Sequence, residues 1–421
     1  MAEIAAAAGV GRSTLHRHFA TRVDLVRALD AGSEPADDAP EVLPAGRLGR
    51  AEPWPLEALR VLDEVPPYLV AEQLVAEARR LAGVPVALYV IDVDGSGLLR
   101  LAGAERELPD RLEVALGLGQ EIAPDSLPEL YAHLAGVLPG CVASPLWLRG
   151  RATGVLLAVG GARSALDEIA RQGALALEIA NGSTDAFEAV RRRRATSPAA
   201  EMQLNLVPAA RIVRVAGGEL AGGLLASEAV GGDWFDFAEN RDGTWLAIAD
   251  AAGEGPVAAG RAAVSLGALR SARRQGLDLL ATASAIHETV LDLGETFTVS
   301  AVLARWQAPT SVFSWIPCGH PPPLLARPDG GVEPLEAPEG APPLGDGPRD
   351  REFRVLERRL RPGERLLLCS DGLLEAGTEA VRGAAGAPRS AAATARAVLH
   401  AAVGPGRPPE DDAVVLVLAV A

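Results

Sequence analysis

Apolar residues recur along this chain at two spacings, and the switches between them divide it into segments. At the start, Ile4, Ala7 and Ala8 follow a helical spacing that Gly9-Val10-Gly11 breaks. Ser13 or Thr14 can cap a second short helix, Thr14 to Phe19, and Thr21 a third with Leu25, Val26 and Leu29 on its inner face. Residues 31–54 carry Ser33-Glu-Pro-Ala-Asp-Asp-Ala-Pro40 and further Pro and Gly, a composition that cannot bury a core and reads as a linker. Between 55 and 182 the spacing alternates. Leu69 to Leu81 and Ala165 to Ile179 predict amphipathic helices, Pro85 to Val93 predicts a strand, and Val142 to Leu148 with Ala152 to Val159 predicts a hairpin turning at Arg149-Gly150-Arg151. Residues 183–206 read as a helical connector whose run Arg191 to Arg194 forms a solvated face.

The segment 207–421 holds the most pointed pattern. A strand around Gly231 to Phe237 turns at Asn240-Arg-Asp-Gly243 into a second, well-buried strand, Thr244 to Asp250. Ala251-Ala252-Gly253-Glu254-Gly255 follows, then a helix from Pro256. An uncompensated carboxylate at the end of a buried strand costs several kcal/mol or loses its charge. No arginine follows Asp250 before Arg261, so a cation is the simplest compensation. The device recurs: Arg365 to Ser370 is a strand ending in Asp371-Gly372, and Glu410-Asp411-Asp412 opens the final strand, Ala413 to Ala419. If these ends converge, Asp233, Asp250, Asp371 and Asp411 make an all-oxygen site suited to Mg²⁺ or Mn²⁺ rather than zinc. Two such ions would share bridging carboxylates and activate water between them.

Isolated acidic residues near turns are more often turn formers than ligands, and Asp236, Asp242, Asp346 and Asp412 fit that description. Asp236 points to the opposite strand face from Asp233. Asp412 adjoins Asp411, and the two can exchange roles in a reading from sequence. His320, in Gly-His-Pro-Pro-Pro, reads as shaping a proline turn; His287 as partly solvated on a helix; His133 and Cys141 as packing elements.

Composition narrows the setting. The net charge of -15 over 421 residues excludes a nucleic-acid-coating protein but leaves room for one small basic module. Three widely spaced cysteines, Cys141, Cys318 and Cys369, fit neither a disulfide framework nor zinc spacing, pointing to a reducing cytoplasm. No basic-then-apolar leader and no run of about 18 apolar residues is present, which predicts no membrane segment.

Three resemblances follow from these motifs. "IAAAAGVGRSTLHRHFATRVDLVRAL" resembles the TetR-type helix-turn-helix, though the family's first helix has no counterpart and His16 stands where an aromatic is usual. It implies DNA contacts from Arg12, Thr14, His16, Arg17 and His18; a vestigial hairpin is the alternative. "ASPLWLRGRATGVLLAVGG" resembles the penultimate hairpin of GAF domains, implying a sensor or dimerisation module over 55–182 with a small-molecule ligand as one prospect. "VGGDWFD", "IADAAGEGPVAAG", "FTVSAVLARW", "CGHPPPLLARPDG", "PPLG", "RPGERLLLCSDGLLEA" and "DDAVVLVLAV" come in the order of PPM-type serine/threonine phosphatases of the SpoIIE and RsbU branch.

That last resemblance implies a multidomain α+β protein ending in an α/β/β/α sandwich of two antiparallel sheets, with the metals at one end. Asp250 would bridge two Mn²⁺ or Mg²⁺ ions, with the Ala251 carbonyl as an added ligand. Asp371 and Asp411 would complete the shell, and Asp233 would bind directly or through water. Asp412, Gly232, Gly253 and Glu254 are further candidates as ligands or loop formers. The implied substrate is a phosphorylated STAS-type anti-sigma-factor antagonist, with the GAF-like segment regulating and the protein a candidate homodimer. The sequence departs from the pattern after Asp250: a hydroxyl is lost at Ala252, and Glu254 replaces a common cation. A weakly active scaffold and a one-component DNA-binding regulator are therefore the rival readings.

Overall fold

The computed structural model describes residues 62 and 64–421 except 104–105, 162, 193–196, 228–229, 295–296, 337–339, 388 and 405–408. The helix-turn-helix candidates Arg12, Thr14, His16, Arg17 and His18 lie outside the described residues, as do Arg193 and Arg194.

The middle segment begins with α1 (Val70–Ala82), followed by β1 (Val86–Ile91), β2 (Gly97–Ala102), β3 (Arg111–Glu113), β4 (Gly117–Leu118), β5 (Glu121–Ile122), α2 (Leu127–Val137), β6 (Cys141–Leu148), β7 (Arg151–Val159) and α3 (Arg163–Asn181). The strands form one antiparallel sheet in which β7 lies between β1 and the β6 hairpin partner. Alternation sorts β1: Val86, Leu88 and Val90 pack with Leu74, Ile169 and Ala170 of α1 and α3, while Ala87, Tyr89 and Ile91 pack with Leu130 and Leu134 of α2. The expected helices and hairpin therefore form within a residue or two of their predicted ends.

Two connector helices follow, α4 (Ala186–Arg191) and α5 (Pro198–Leu206). The arginine run is not a wholly solvated face. Arg191 is buried with its guanidinium on Glu188, and Arg192 pairs with both Glu188 and Glu201, because the acidic partners sit on the same short helices. His133, read as a packing element, is exposed on α2 instead.

The remaining chain supplies β8 (Ile212–Val215), β9 (Gly218–Leu225), β10 (Asp233–Asn240), β11 (Gly243–Ala251), α6 (Gly255–Arg274), α7 (Leu279–Asp292), β12 (Val299–Gln307), β13 (Val312–Cys318), β14 (Leu324–Ala326), β15 (Val332–Pro334), β16 (Leu356–Arg359), β17 (Arg365–Cys369), α8 (Asp371–Gly386), α9 (Ala391–Val403) and β18 (Ala413–Val420). They build two antiparallel sheets, ordered β10-β11-β12-β13-β16 and β15-β14-β17-β18-β9-β8.

The strand β18 shows why they stack. Its apolar run has no polar face: Val414, Leu416, Leu418 and Val420 enter the core between the sheets, while Ala413, Val415 and Val417 enter a second core beneath α8 and α9. In β17, Leu366 and Leu368 join the first core and Leu367 and Cys369 the second. A strand apolar on both faces has to be covered on both, which forces a layer on each side. On the far side α6 and α7 cover the other sheet through Leu266, Leu269, Ala283, Ile286 and Val290. The α/β/β/α sandwich is thus the observed architecture. The sheets approach closely where Gly222 faces Phe235; a Cβ at Gly222 would lie 2.3 Å from that ring.

The middle segment meets this sandwich through a buried carboxylate. Glu121 pairs with Arg151, and its second oxygen accepts the Arg211 and Ile212 N–H groups at 2.9 Å each, at the start of β8. His287, expected to be partly solvated, is fully buried: its Nδ1 accepts the Gly345 N–H at 3.0 Å and its Nε2 lies 2.9 Å from the Pro348 carbonyl. The covering loop comes from 58 or more residues away, which spacing within a helix cannot reveal.

Candidate active site

The hairpin β10–β11 turns on Arg241-Asp242, with Asn240 opposite Gly243. Counting back along that register places Asp233 directly opposite Asp250, on one face of the sheet. The chains run close here: a Cβ at Gly232 would sit 2.0 Å from the Ala251 carbonyl oxygen, so this position admits only glycine without a shift.

The second sheet delivers its carboxylates to the same end. β17 ends at Cys369, and the next residue, Ser370, caps α8 with its hydroxyl by accepting the Leu373 N–H at 3.4 Å. Asp371 is the first residue of that helix, and its carboxylate accepts the Gly372 N–H at 2.9 Å. The neighbouring β18 begins beside it, since the Ser370 N–H donates to Val414 at 3.0 Å. A Cβ at Gly372 would lie 3.0 Å from the Asp411 Cβ, and one at Gly231 would lie 3.5 Å from Asp411 Oδ1. Strand ends from both sheets therefore converge.

Carboxylate oxygens of Asp233, Asp250 and Asp371 all lie within 4.8 Å of one another. Two oxygens bound to one hard cation at about 2.0–2.4 Å are at most roughly 4–5 Å apart, so this set fits such an ion. Its charge needs one. Burial first, and then Asp371, Asp411 and Asp412, push the Asp250 carboxyl up to about 6. Burial and then Asp250 push Asp233 well above the usual carboxylate range. No basic side chain within ion-pair distance accompanies these three among the described residues.

The adjacent pair Asp411-Asp412 divides its work. Asp411 is exposed and accepts the local Asp412 N–H at 2.7 Å. Asp412 is buried: Oδ1 accepts the Ser227 N–H at 2.8 Å, and Oδ2 accepts the Gly231 N–H at 3.0 Å and the Gln203 amide. The second aspartate thus fixes the loop leading into Asp233, while the first is not among the three whose oxygens lie within 4.8 Å of one another. Asp236 points away and is buried against Arg270 and Arg273 at 2.8 and 2.9 Å. Asp242 accepts the Trp245 indole N–H at 3.1 Å, and Asp346 is exposed in a loop. Glu254 and Gly253 are exposed at the N-terminus of α6, which begins one residue earlier than expected, at Gly255.

Two contributors escaped the sequence reading. Gln203, fully buried on α5, donates to both Asp412 and the Asp233 carbonyl, the latter at 3.2 Å. Its signal was a polar residue one turn after buried Ala199. Ser300 stands opposite Asp250 in the β11–β12 register, and its hydroxyl lies 2.8 Å from His320 Nδ1. Burial pushes the His320 ring down to about 4, which keeps it neutral near pH 7 beside Ser300.

Comparison with known proteins gives two family matches and several similar solved structures. Residues 240–421 match the family model for stage II sporulation protein E (SpoIIE), and residues 1–29 match that for bacterial regulatory proteins of the tetR family. The chain is similar to the RsbU and RsbW domains of Rv1364c from Mycobacterium tuberculosis (25% identity, TM-score 0.43), covering 50% of this chain and 62% of that one. It is also similar to the SiaA-PP2C domain of Pseudomonas aeruginosa (19%, TM-score 0.41, covering 48% of this chain and 85% of that one). A third similarity is to the PP2C phosphatase domain with a regulatory fragment of SpoIIE from Bacillus subtilis (15%, TM-score 0.41, covering 72% and 77%). Asp250, Asp371 and Asp411 all fall inside residues 240–421, the stretch that matches the SpoIIE model.

Proposed function

We propose that the protein hydrolyses phosphoserine or phosphothreonine on a regulatory protein, using two Mn²⁺ or Mg²⁺ ions held by Asp233, Asp250, Asp371 and Asp411 with the Ala251 carbonyl. The observation that carries this reading is the convergence of Asp233, Asp250 and Asp371 within 4.8 Å from two different sheets. Bound there, the ions supply positive charge against the phosphoryl oxygens and acidify a water molecule. The chain's own residues do the positioning. Asp250 and Asp233 are held by the hairpin register, Asp371 by the capped start of α8, and Asp411 by the turn that Asp412 anchors. Glu254 adds negative charge beside the site, which repels an incoming phosphate and slows turnover rather than preventing metal binding.

The substrate we infer is a STAS-type anti-sigma-factor antagonist, in keeping with the RsbU and RsbW domains of the mycobacterial relative. The GAF-like middle segment would regulate, with or without a small ligand and as a homodimer. Gln203 supports such a route, because it joins the connector helix to Asp412 and to the Asp233 backbone. The test is phosphate release from a phosphoserine peptide with Mn²⁺. Activity lost in Asp250→Asn supports the reading, and a variant indistinguishable from wild type sinks it.

The altered loop at Ala252 and Glu254 favours one rival, a binding scaffold, which calorimetry separates by tight partner binding without Mn²⁺ uptake. The tetR-family match favours a DNA-contacting role for residues 1–29 in addition; retention on DNA at moderate salt, lost in Arg17→Ala, is its signature. No described helix is long and apolar enough to cross a membrane.

A further inference from the structure

The loop after Asp250 has little in its own side chains to hold it. Ala252 and Gly253 offer no side-chain donor or acceptor, Gly253 sits at φ +123, and Glu254 makes no capping bond to α6. Two backbone bonds tether its ends, from Ala252 N–H to Thr298 at 3.1 Å and from Gly255 N–H to Val230 at 2.8 Å. Between them the Ala252 carbonyl accepts a hydrogen bond from Arg261 Nη1 at 2.9 Å.

Arg261 is well placed for this. Helix side chains lean toward the N-terminus, so an arginine two turns into α6 reaches back over the loop. Its guanidinium lies 4.8 Å from the centroid of the Phe297 ring, which is fully buried, and its Nη1 would be 3.5 Å from a Cβ on Gly253. The planar group is thereby fixed by the aromatic face and the loop carbonyl together.

We propose that Arg261 is a positioning residue for the metal site, holding residues 251–255 in the conformation that presents Asp250 and the Ala251 backbone to a cation. The proposal rests on the metal-dependent reading above.

The experiment compares full-length wild type with Arg261→Ala, Arg261→Met and Arg261→Lys. Mn²⁺ affinity is read by electron paramagnetic resonance, and amide hydrogen exchange of residues 252–255 in EDTA. Losing the hydrogen bond predicts roughly a five- to tenfold weaker Mn²⁺ affinity and faster exchange at Gly253 and Gly255 in the Ala variant. The Met variant, which keeps the packed stem, behaves the same way, and the Lys variant recovers most of the loss. KM for a phosphopeptide at saturating Mn²⁺ stays unchanged. Unaltered affinity and exchange in both the Ala and Met variants overturn the proposal. So does a raised KM at unaltered Mn²⁺ affinity, which would put the guanidinium on the substrate. A wild-type protein that binds Mn²⁺ yet releases no phosphate defeats the phosphatase reading alone, because affinity and exchange still report on Arg261.

Discussion

Replacing Asp412 and Asp411 in turn should separate two roles that are adjacent in sequence. Asp412 is 1% exposed, so solvent screens little of what its carboxylate does. Asparagine there keeps one acceptor oxygen, which will turn to the side where Gly231 and Gln203 both donate. Its amino group then faces the Ser227 N–H, now 2.8 Å from a donor. One buried N–H left without an acceptor costs about 1–3 kcal/mol, and the remaining bonds weaken once the charge is gone. Against this, removing the charge relieves repulsion, since burial already pushes this carboxyl upward with Asp411 adding to it. The net is a loss of about 2 kcal/mol, which in a unit of this size lowers the melting temperature by roughly 4–8 °C. Asp411 is exposed, and asparagine can still accept the Asp412 N–H, so Asp411→Asn should melt within about 0.5 kcal/mol of wild type while losing Mn²⁺ affinity. The assay is thermal unfolding in EDTA beside Mn²⁺ titration. A destabilised Asp411→Asn with an unaffected Asp412→Asn would refute the assignment.

Two further perturbations probe the scaffold. Burial pushes Glu121 from 4.5 up to about 7, against Arg151 and the two N–H groups. A carboxyl whose pKa is raised on folding stabilises the fold fully below about 4.5 and loses that contribution as pH climbs through about 7. The urea midpoint should therefore fall over that window in wild type and stay flatter in Glu121→Gln; equal slopes would contradict it. Asp236→Ala strands Arg270 and Arg273 beside a buried gap and should cost about 3–5 kcal/mol in urea unfolding. Normal stability in that variant would show the pair to be dispensable.

Much of the catalytic segment was legible because its strands carry strong local signals. Ala413 to Val420 is apolar at every position, and strands ending in Asp-Gly or an Asp before a glycine loop mark where polar chemistry meets a core. That is why Asp250 and Asp371 could be picked out. Sequence left Asp411 and Asp412 interchangeable, because what distinguishes them is donors 185 and 181 residues away, at Ser227 and Gly231. Gln203 contacts Asp412 across 209 residues, and Ser300 meets Asp250 only through strand register. His287 and Arg191 were misread for the same reason: their burial is decided by partners outside their own periodicity. Period and propensity describe an element, while contacts between elements decide which polar residue on it does the work.

Whether strand ends from two sheets hold divalent metal between them is read from anomalous scattering by crystals saturated with Mn²⁺. A strong peak is expected within about 2.0–2.4 Å of carboxylate oxygens from both Asp250 and Asp371. Mn²⁺-saturated crystals with no peak between those two residues would contradict it.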